Sequence, residues 1–147
     1  MRLRFLLAPV LIALFALAAA CGGNGTTPAV QDQITNGAAV AVACPGALPW
    51  DQAIQNVGER ATVQGPVVGT RYASGSRGQP TFLNVGKDFP DRDRFTVLIW
   101  GDTRGNFPFP PEVEYANHTI CVTGLIETFE GVPQIIADTP SDIEIVE

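Results

Sequence analysis

The sequence predicts a mainly-β domain: a small, closed or nearly closed barrel of five strands. A short helix precedes the first strand, and a short helical connector separates the third strand from the fourth. Three observations predict it. Apolar residues in the second half of the chain recur with period two in short runs, and turns rich in Gly, Pro and Asp part those runs. Glycines interrupt the first and fourth runs, at Gly65 and Gly124, where long strands would bend to join both halves of a barrel. Residues 43–147 are enough for one domain with one core.

The elements before that domain come first. "MRLR" is a basic opening, and Phe5 to Ala20 carries no charge. That apolar run is shorter than the roughly 20 residues a membrane-spanning helix needs. It reads as a signal peptide over 1–20. The small residues Ala18, Ala19 and Ala20 lead into Cys21. This resembles the lipobox of bacterial lipoproteins, in which the cysteine is lipidated and cleavage falls just before it. Ala18 stands where the usual pattern has Leu, with Leu17 one place further out. The resemblance implies a membrane anchor through lipid on Cys21 and a place in the bacterial cell envelope, facing outside the cytoplasm. The alternative is an ordinary secretory signal, which also exports the chain. Residues 21–42 are rich in Gly, Thr, Asn and Ala with one charge, Asp32, and read as a flexible tether.

The domain opens with "LPWDQAIQNVGE". Trp50, Ala53, Ile54 and Val57 fall on one helix face, and Gly58 follows as a stop. Ala61, Val63, Val67 and Tyr72 mark a long first strand, which Pro66 requires to be an edge, a bulge or a bend. "ASGSRG" is turn chemistry. In the second strand Thr81, Leu83 and Val85 share one face, with Phe82 and Asn84 on the other. The third strand divides likewise: Phe95, Val97 and Ile99 against Thr96, Leu98 and Trp100. Pro111 suits the first turn of the helical connector. Ile120, Val122 and Ile126 mark the fourth strand, Phe129 to Val132 a hairpin connection, "VPQIIAD" the fifth strand, and "TPSDIEIVE" a closing strand-like segment.

The charge balance bears on partners. The chain carries 9 Lys and Arg against 15 Asp and Glu, a net −6. Loss of Arg2 and Arg4 with the signal leaves seven cations and a net −8. Such a protein repels nucleic acid at long range. The charges are unevenly placed, however. Seven of the cations lie between Arg60 and Gly105 with four acids, a local +3, while Asn106 to Glu147 has eight acids and no Lys or Arg. One locally basic surface on an acidic body would account for this, as would a chance scatter of surface charge. With Cys21 lipidated, Cys44 and Cys121 remain. In an oxidising compartment they read as a disulfide, the alternative being two buried thiols.

From Trp50 to Val146 the chain resembles bacterial OB-fold proteins, five-stranded barrels of β-β-β-α-β-β plan. The resemblance rests on "GERATVQGPVV", "PTFLNVG", "FTVLIW", "PSDIEIV" and the pattern V-x-G-x-I-x-x-(aromatic)-x-G-x-P-Q-I over Val122 to Ile135. It implies a ligand face on strands two and three and in the loops beside them. Projected by fold position, that face comprises Arg71, Tyr72, Arg77, Phe82, Asn84, Lys87, Arg94, Thr96 and Trp100. Aromatic rings there would stack on a base or sugar, and cations would hold an anionic backbone. The competing reading gives the rings to a barrel end and the cations to solvent.

No catalytic constellation, cofactor motif or metal-ligand spacing is legible. There is one histidine, His118, and "NVGKDFP" lacks the glycine and Ser/Thr of a phosphate loop. "DFPDRDR" lacks the pattern of a calcium loop, which counts against a nuclease-like enzyme. The sequence therefore predicts a membrane-anchored binding domain, without catalysis or cofactor, for single-stranded nucleic acid, an oligosaccharide or an envelope protein. Its rival is a structural or assembly module of the envelope with no small ligand.

Overall fold

The computed structural model describes residues 44–146. The expected signal peptide, Cys21 and the tether lie outside the described residues. The described chain is mainly β. Its strands are β1 (Leu48–Pro49), β2 (Arg60–Tyr72), β3 (Thr81–Val85), β4 (Phe95–Ile99), β5 (Thr119–Leu125), β6 (Glu127–Phe129), β7 (Val132–Ile136) and β8 (Ile143–Val146). One turn of helix, α1 (Pro111–Glu114), stands between β4 and β5. Short 3-10 helices cover Trp50–Asn56, Arg104–Asn106 and Pro140–Asp142.

The order of elements follows the OB-like plan, and the closed or nearly closed five-stranded barrel expected is met in part: the domain is mainly β, with more strands and no closed ladder. The hydrogen-bonded order is β6-β7-β4-β3-β2-β5-β8, with β1 beside β2, and this path does not close. The expected fourth strand is split into β5 and β6 at Ile126. There the backbone turns aside: the Ile126 N–H donates to the Glu59 carbonyl, and the Ile126 carbonyl accepts from the Gly58 N–H. β4 and β7 run parallel, while β6 and β7 form an antiparallel hairpin. Positive φ at Glu130 (51°) and Gly131 (82°) gives that hairpin the two-residue turn that matches strand twist. The closing segment does form a strand, β8, paired with β5.

β2 belongs to two neighbourhoods. Arg60 to Pro66 pairs with β5, and Val67 to Tyr72 pairs with β3. Pro66 has no N–H to give, and it occupies the last rung of the first ladder. The register shifts between Val67 and Gly69, so Val68 bulges out and is exposed. Pro66 thus marks a change of partner rather than an end.

Period-two alternation builds the core. Val63, Val67, Leu83, Val85, Phe95, Val97, Ile99, Ile120, Val122, Ile126 and Ile135 are buried together. Each such side chain contributes roughly 1.5–3 kcal/mol. Trp50 packs against this core at its edge. A Cβ on Gly86 would come within 2.1 Å of the Trp50 ring, and one on Gly65 within 2.7 Å, so both glycines are places where the ring meets backbone. The segment bearing Trp50 is a 3-10 helix rather than the α-helix its spacing predicts. With three residues per turn, Trp50 and Ala53 face inward, and Ile54 and Val57 rotate out to solvent.

Cys44 and Cys121 are bonded, with a Cα–Cα distance of 6.4 Å and 77 residues between them. The bridge ties the start of the described chain to β5. In the chain-entropy picture a loop of that length contributes about 4 kcal/mol. Replacing both cysteines by serine should therefore lower unfolding free energy by about that amount in denaturant titration. A change below about 1 kcal/mol would show that the bridge restrains little.

Candidate binding groove

The outer surface of the β2-β3-β4-β7 sheet is concave. Residues directly opposite one another across strands project to the same side. Two such rows cross this surface. One is Arg71, Phe82, Leu98 and Ile136; the other is Gly69, Asn84, Thr96 and Gln134. The turn after β2 stands at one end, at Ala73 and Ser76. The 88–94 loop and the β6-β7 hairpin stand at the other, with Asp88, Phe89, Arg92 and Phe129 in the walls. The enclosed volume is about 680 Å³.

The walls are held by named contacts. The Asp88 carboxylate accepts from Asn84 Nδ2 and from the Phe89 N–H, each at 2.8 Å. It lies close over the backbone of Gly69, where a Cβ would come within 2.0 Å of its oxygen. The Arg92 guanidinium donates to the Glu130 carbonyl, which joins the loop to the tip of the hairpin. Arg94 donates to the Asp91 carbonyl and stands 5.5 Å from the centre of the Phe89 ring. Phe89 and Phe129 are 68% and 63% exposed, large apolar faces that the core does not use.

Two polar atoms on residues that line the groove are buried without a partner: Arg94 Nε and Thr96 Oγ1. Thr96 is only 4% exposed. A buried donor or hydroxyl left unpaired costs about 1–3 kcal/mol.

Arg71, Phe82, Asn84, Arg94 and Thr96 are therefore brought together, and four of the expected residues lie elsewhere. Trp100 follows the last residue of β4, where the chain turns away, so the alternation that puts Thr96 in the groove no longer carries Trp100 with it. Its ring lies against Gly78, in a separate shallow depression with Gln79 and Asp102. Arg77 is exposed in the turn after β2 and does not line the groove. Lys87 is paired with Asp93 (3.1 Å) and Asp91 (3.3 Å) beside Trp50. Those hydrogen bonds, Asp93 first, raise its pKa. The Asp91 carboxyl is held below its usual range, chiefly by the Asp93 N–H and then by Lys87.

Tyr72 neighbours Arg71 and takes the opposite side of β2. Its ring stacks under the Arg104 guanidinium at 4.0 Å. Arg104 makes two bonds to the Glu112 carboxylate (2.6 and 2.9 Å) and one to Thr81 Oγ1 (2.7 Å). Thr70 Oγ1 donates to the Glu112 carbonyl, so this cluster fastens α1 to β2 and β3. Among the described residues no group of three or more His, Cys, Asp or Glu side chains could hold a metal ion.

The sequence reading missed Arg92, Phe89, Phe129 and Gln134. A signal existed for the two rings. Each sits in a polar turn, "KDFPD" or "TFEG", outside any apolar period, so no core claims it.

No protein-family model matches the chain, and no curated protein matches it in sequence. Among solved structures it is similar to asparaginyl-tRNA synthetase from Pyrococcus horikoshii, at 11% identity and a TM-score of 0.46, over 69% of this chain and 23% of that one. It is similar to aspartyl tRNA synthetase from Entamoeba histolytica, at 15% identity and a TM-score of 0.44, over 95% of this chain and 28% of that one. It is also similar to an OBody bound to hen egg-white lysozyme, at 20% identity and a TM-score of 0.46, over 70% of this chain and 96% of that one. The chain thus spans about a quarter of either synthetase.

The Arg104 cluster has a pH consequence. Burial pushes the Glu112 carboxyl up, but the bonds from Arg104 outweigh it, and its pKa lies below the ordinary 4.5. A lowered folded pKa stabilises the fold above the unfolded value and loses that contribution as pH falls through the folded value. Glu112→Gln should cost about 1–2 kcal/mol at neutral pH and little in strong acid, since both side chains are about four-fifths buried. Melting curves of both proteins between pH 7 and pH 2 test this. A cost that does not shrink as pH falls would rule out the charge as its source.

Proposed function

We propose that this domain is an OB-like binding module whose ligand lies in the groove across β3 and β4, and that it binds without catalysis. The observation that carries the reading is the convergence of Arg71, Phe82, Asn84, Arg94 and Thr96 on one concave face, between two exposed phenylalanines. Exposed rings offer stacking faces, guanidinium groups offer planar donors, and the amide and hydroxyl on the floor offer direction. Few polar groups in a cleft of several hundred Å³ is the make-up of a ligand site. His118 is exposed and does not line the groove. We read a five-stranded barrel into the ladder by taking β5 and β6 as one strand broken at Ile126.

The anchor is part of the same proposal. The basic start, the uncharged run to Ala20 and the small residues before Cys21 support a lipoprotein held at the envelope by Cys21. Two or more acyl chains on that cysteine would hold it stably.

Amide chemical-shift mapping with single-stranded oligonucleotides, neutral oligosaccharides and small ring compounds tests the groove. A ligand should move the resonances of Asn84, Thr96 and Gln134. Phe129→Ala should weaken it about tenfold, the weight of one stacking contact. Binding that leaves those three resonances still would remove the groove from consideration and favour docking elsewhere on the domain.

A further inference from the structure

We infer that the groove takes a compact ligand bearing one acid group, carboxylate or phosphate, on a ring, and not an extended polyanion. This rests on the groove reading above and narrows it to a ligand class. Arg71, Arg94 and Thr96 are the residues that hold the acid group.

The pairing of the cations is the first argument. Lys87 and Arg104, outside the groove, are each neutralised by carboxylates. Among the described residues Arg71, Arg92 and Arg94 have no carboxylate within ion-pair distance, and all three line the groove; Arg60 and Arg77, also unpaired, are exposed outside it. Two acids, Asp88 and Glu130, line it with them. Three cations against two acids leave the groove about one positive charge, enough for one acid group.

The floor supplies the second argument. Arg94 Nε and Thr96 Oγ1 are buried and unpartnered, and both residues line the groove. Each atom has under 1 Å² of accessible surface, so an oxyanion accepts from the N–H and the O–H once the two side chains shift toward the groove. A neutral carbonyl can do so only with weaker bonds, since charge-assisted bonds are about twice as strong. Neither atom helps the fold in the way an apolar atom would, since each is desolvated for no bond.

The third argument concerns length. A nucleic-acid strand running beyond the groove meets a protein of net −6, whose residues 106–147 hold eight acids and no Lys or Arg. Each further phosphate would meet that acidic surface, against which only Arg60 and Arg77 stand exposed and unpaired outside the groove. The Arg92 bond to Glu130 also joins the two walls at one end. A volume of about 680 Å³ suits a ligand of a few rings. The Phe89 and Phe129 faces fit the ring that carries the acid.

The test measures affinity of the full chain by calorimetry, with amide and Arg Nε shifts for position. The probes are phenyl phosphate, benzoate and uridine monophosphate, the neutral counterparts benzyl alcohol and uridine, and a single-stranded oligothymidylate. The acids should bind at least about tenfold tighter than their neutral counterparts and move Arg94 Nε and Thr96. Phenyl phosphate against benzoate then distinguishes the phosphate source from the carboxylate one. Arg71→Gln and Arg94→Lys should each abolish most of the preference. Thr96→Val should weaken the acids several-fold while melting temperature holds or rises, because it removes an unpaired hydroxyl without changing shape. Arg71 is exposed, so its variant reports even if Arg94→Lys folds poorly.

Neutral probes that bind as tightly as the acids would overturn the inference and leave the groove reading standing. So would an oligothymidylate that binds more than about tenfold tighter per site than the monophosphate, with shifts running beyond the groove. Silence from every probe here, together with silence from the broader panel above, would overturn both.

Discussion

One strand has to serve two ladders, and the rest of the domain depends on how it does so. β2 gives its first half to β5 and its second half to β3, and the change takes place within Pro66 to Gly69. The bulge at Val68 sets the phase of everything after it. It places Gly69, rather than a side chain, opposite Asn84, which leaves room for Asp88. It turns Arg71 to the outer face and Tyr72 to the other. A slip of one residue would exchange them. The groove would lose a cation, and the Arg104 cluster would lose the ring beneath it.

That division sorts five of the seven described cations. On one side of β2, Arg104 is stacked, doubly bonded and largely buried, and its work is to fasten α1. On the other, Arg71, Arg92 and Arg94 lie beyond ion-pair distance of the described carboxylates, with Asp91 near enough to feel the charge of Arg94. Lys87 follows the first pattern, with two carboxylates of its own loop around it. The positive span legible in the sequence thus holds two such populations, with Arg60 and Arg77 exposed outside both. One is spent inside the structure, and the other is available to a ligand. Only the second faces the groove, which is how an acidic protein keeps a locally positive surface.

The strand pattern was legible because burial follows period two. Leu83, Val85, Phe95, Val97 and Ile99 announce their strands, and the Glu130–Gly131 turn announces its hairpin. The Cys44–Cys121 bond was legible as well, from the two cysteines that remain when Cys21 is set aside. What failed was whatever depends on where a strand stops. Trp100 has the parity of Thr96 but stands one residue beyond β4, and parity means nothing once the chain has turned. Ile126 fits the apolar period of its strand, yet its backbone bonds to Gly58 and Glu59, a contact from far back in the chain that no local pattern records. Ile54 and Val57 were assigned by a 3.6-residue period that a 3-10 helix does not keep.

Thr96 is the residue at which the levels of the sequence disagree. β4 reads "FTVLI", and every residue in it is buried. Packing alone would place valine at this position, with the same shape and no hydroxyl to desolvate. Instead a polar row, Asn84, Thr96 and Gln134, crosses three strands at the floor of the groove. Asn84 is satisfied by Asp88, and Thr96 is not. Where local choices otherwise agree with the fold, an isolated disagreement of this kind falls at sites kept for something other than stability. Arg94, whose Nε is desolvated and equally unpartnered, lines the same groove and repeats the disagreement. Two losses of stability on residues that line one groove are more simply explained by a group that enters it than by the demands of packing.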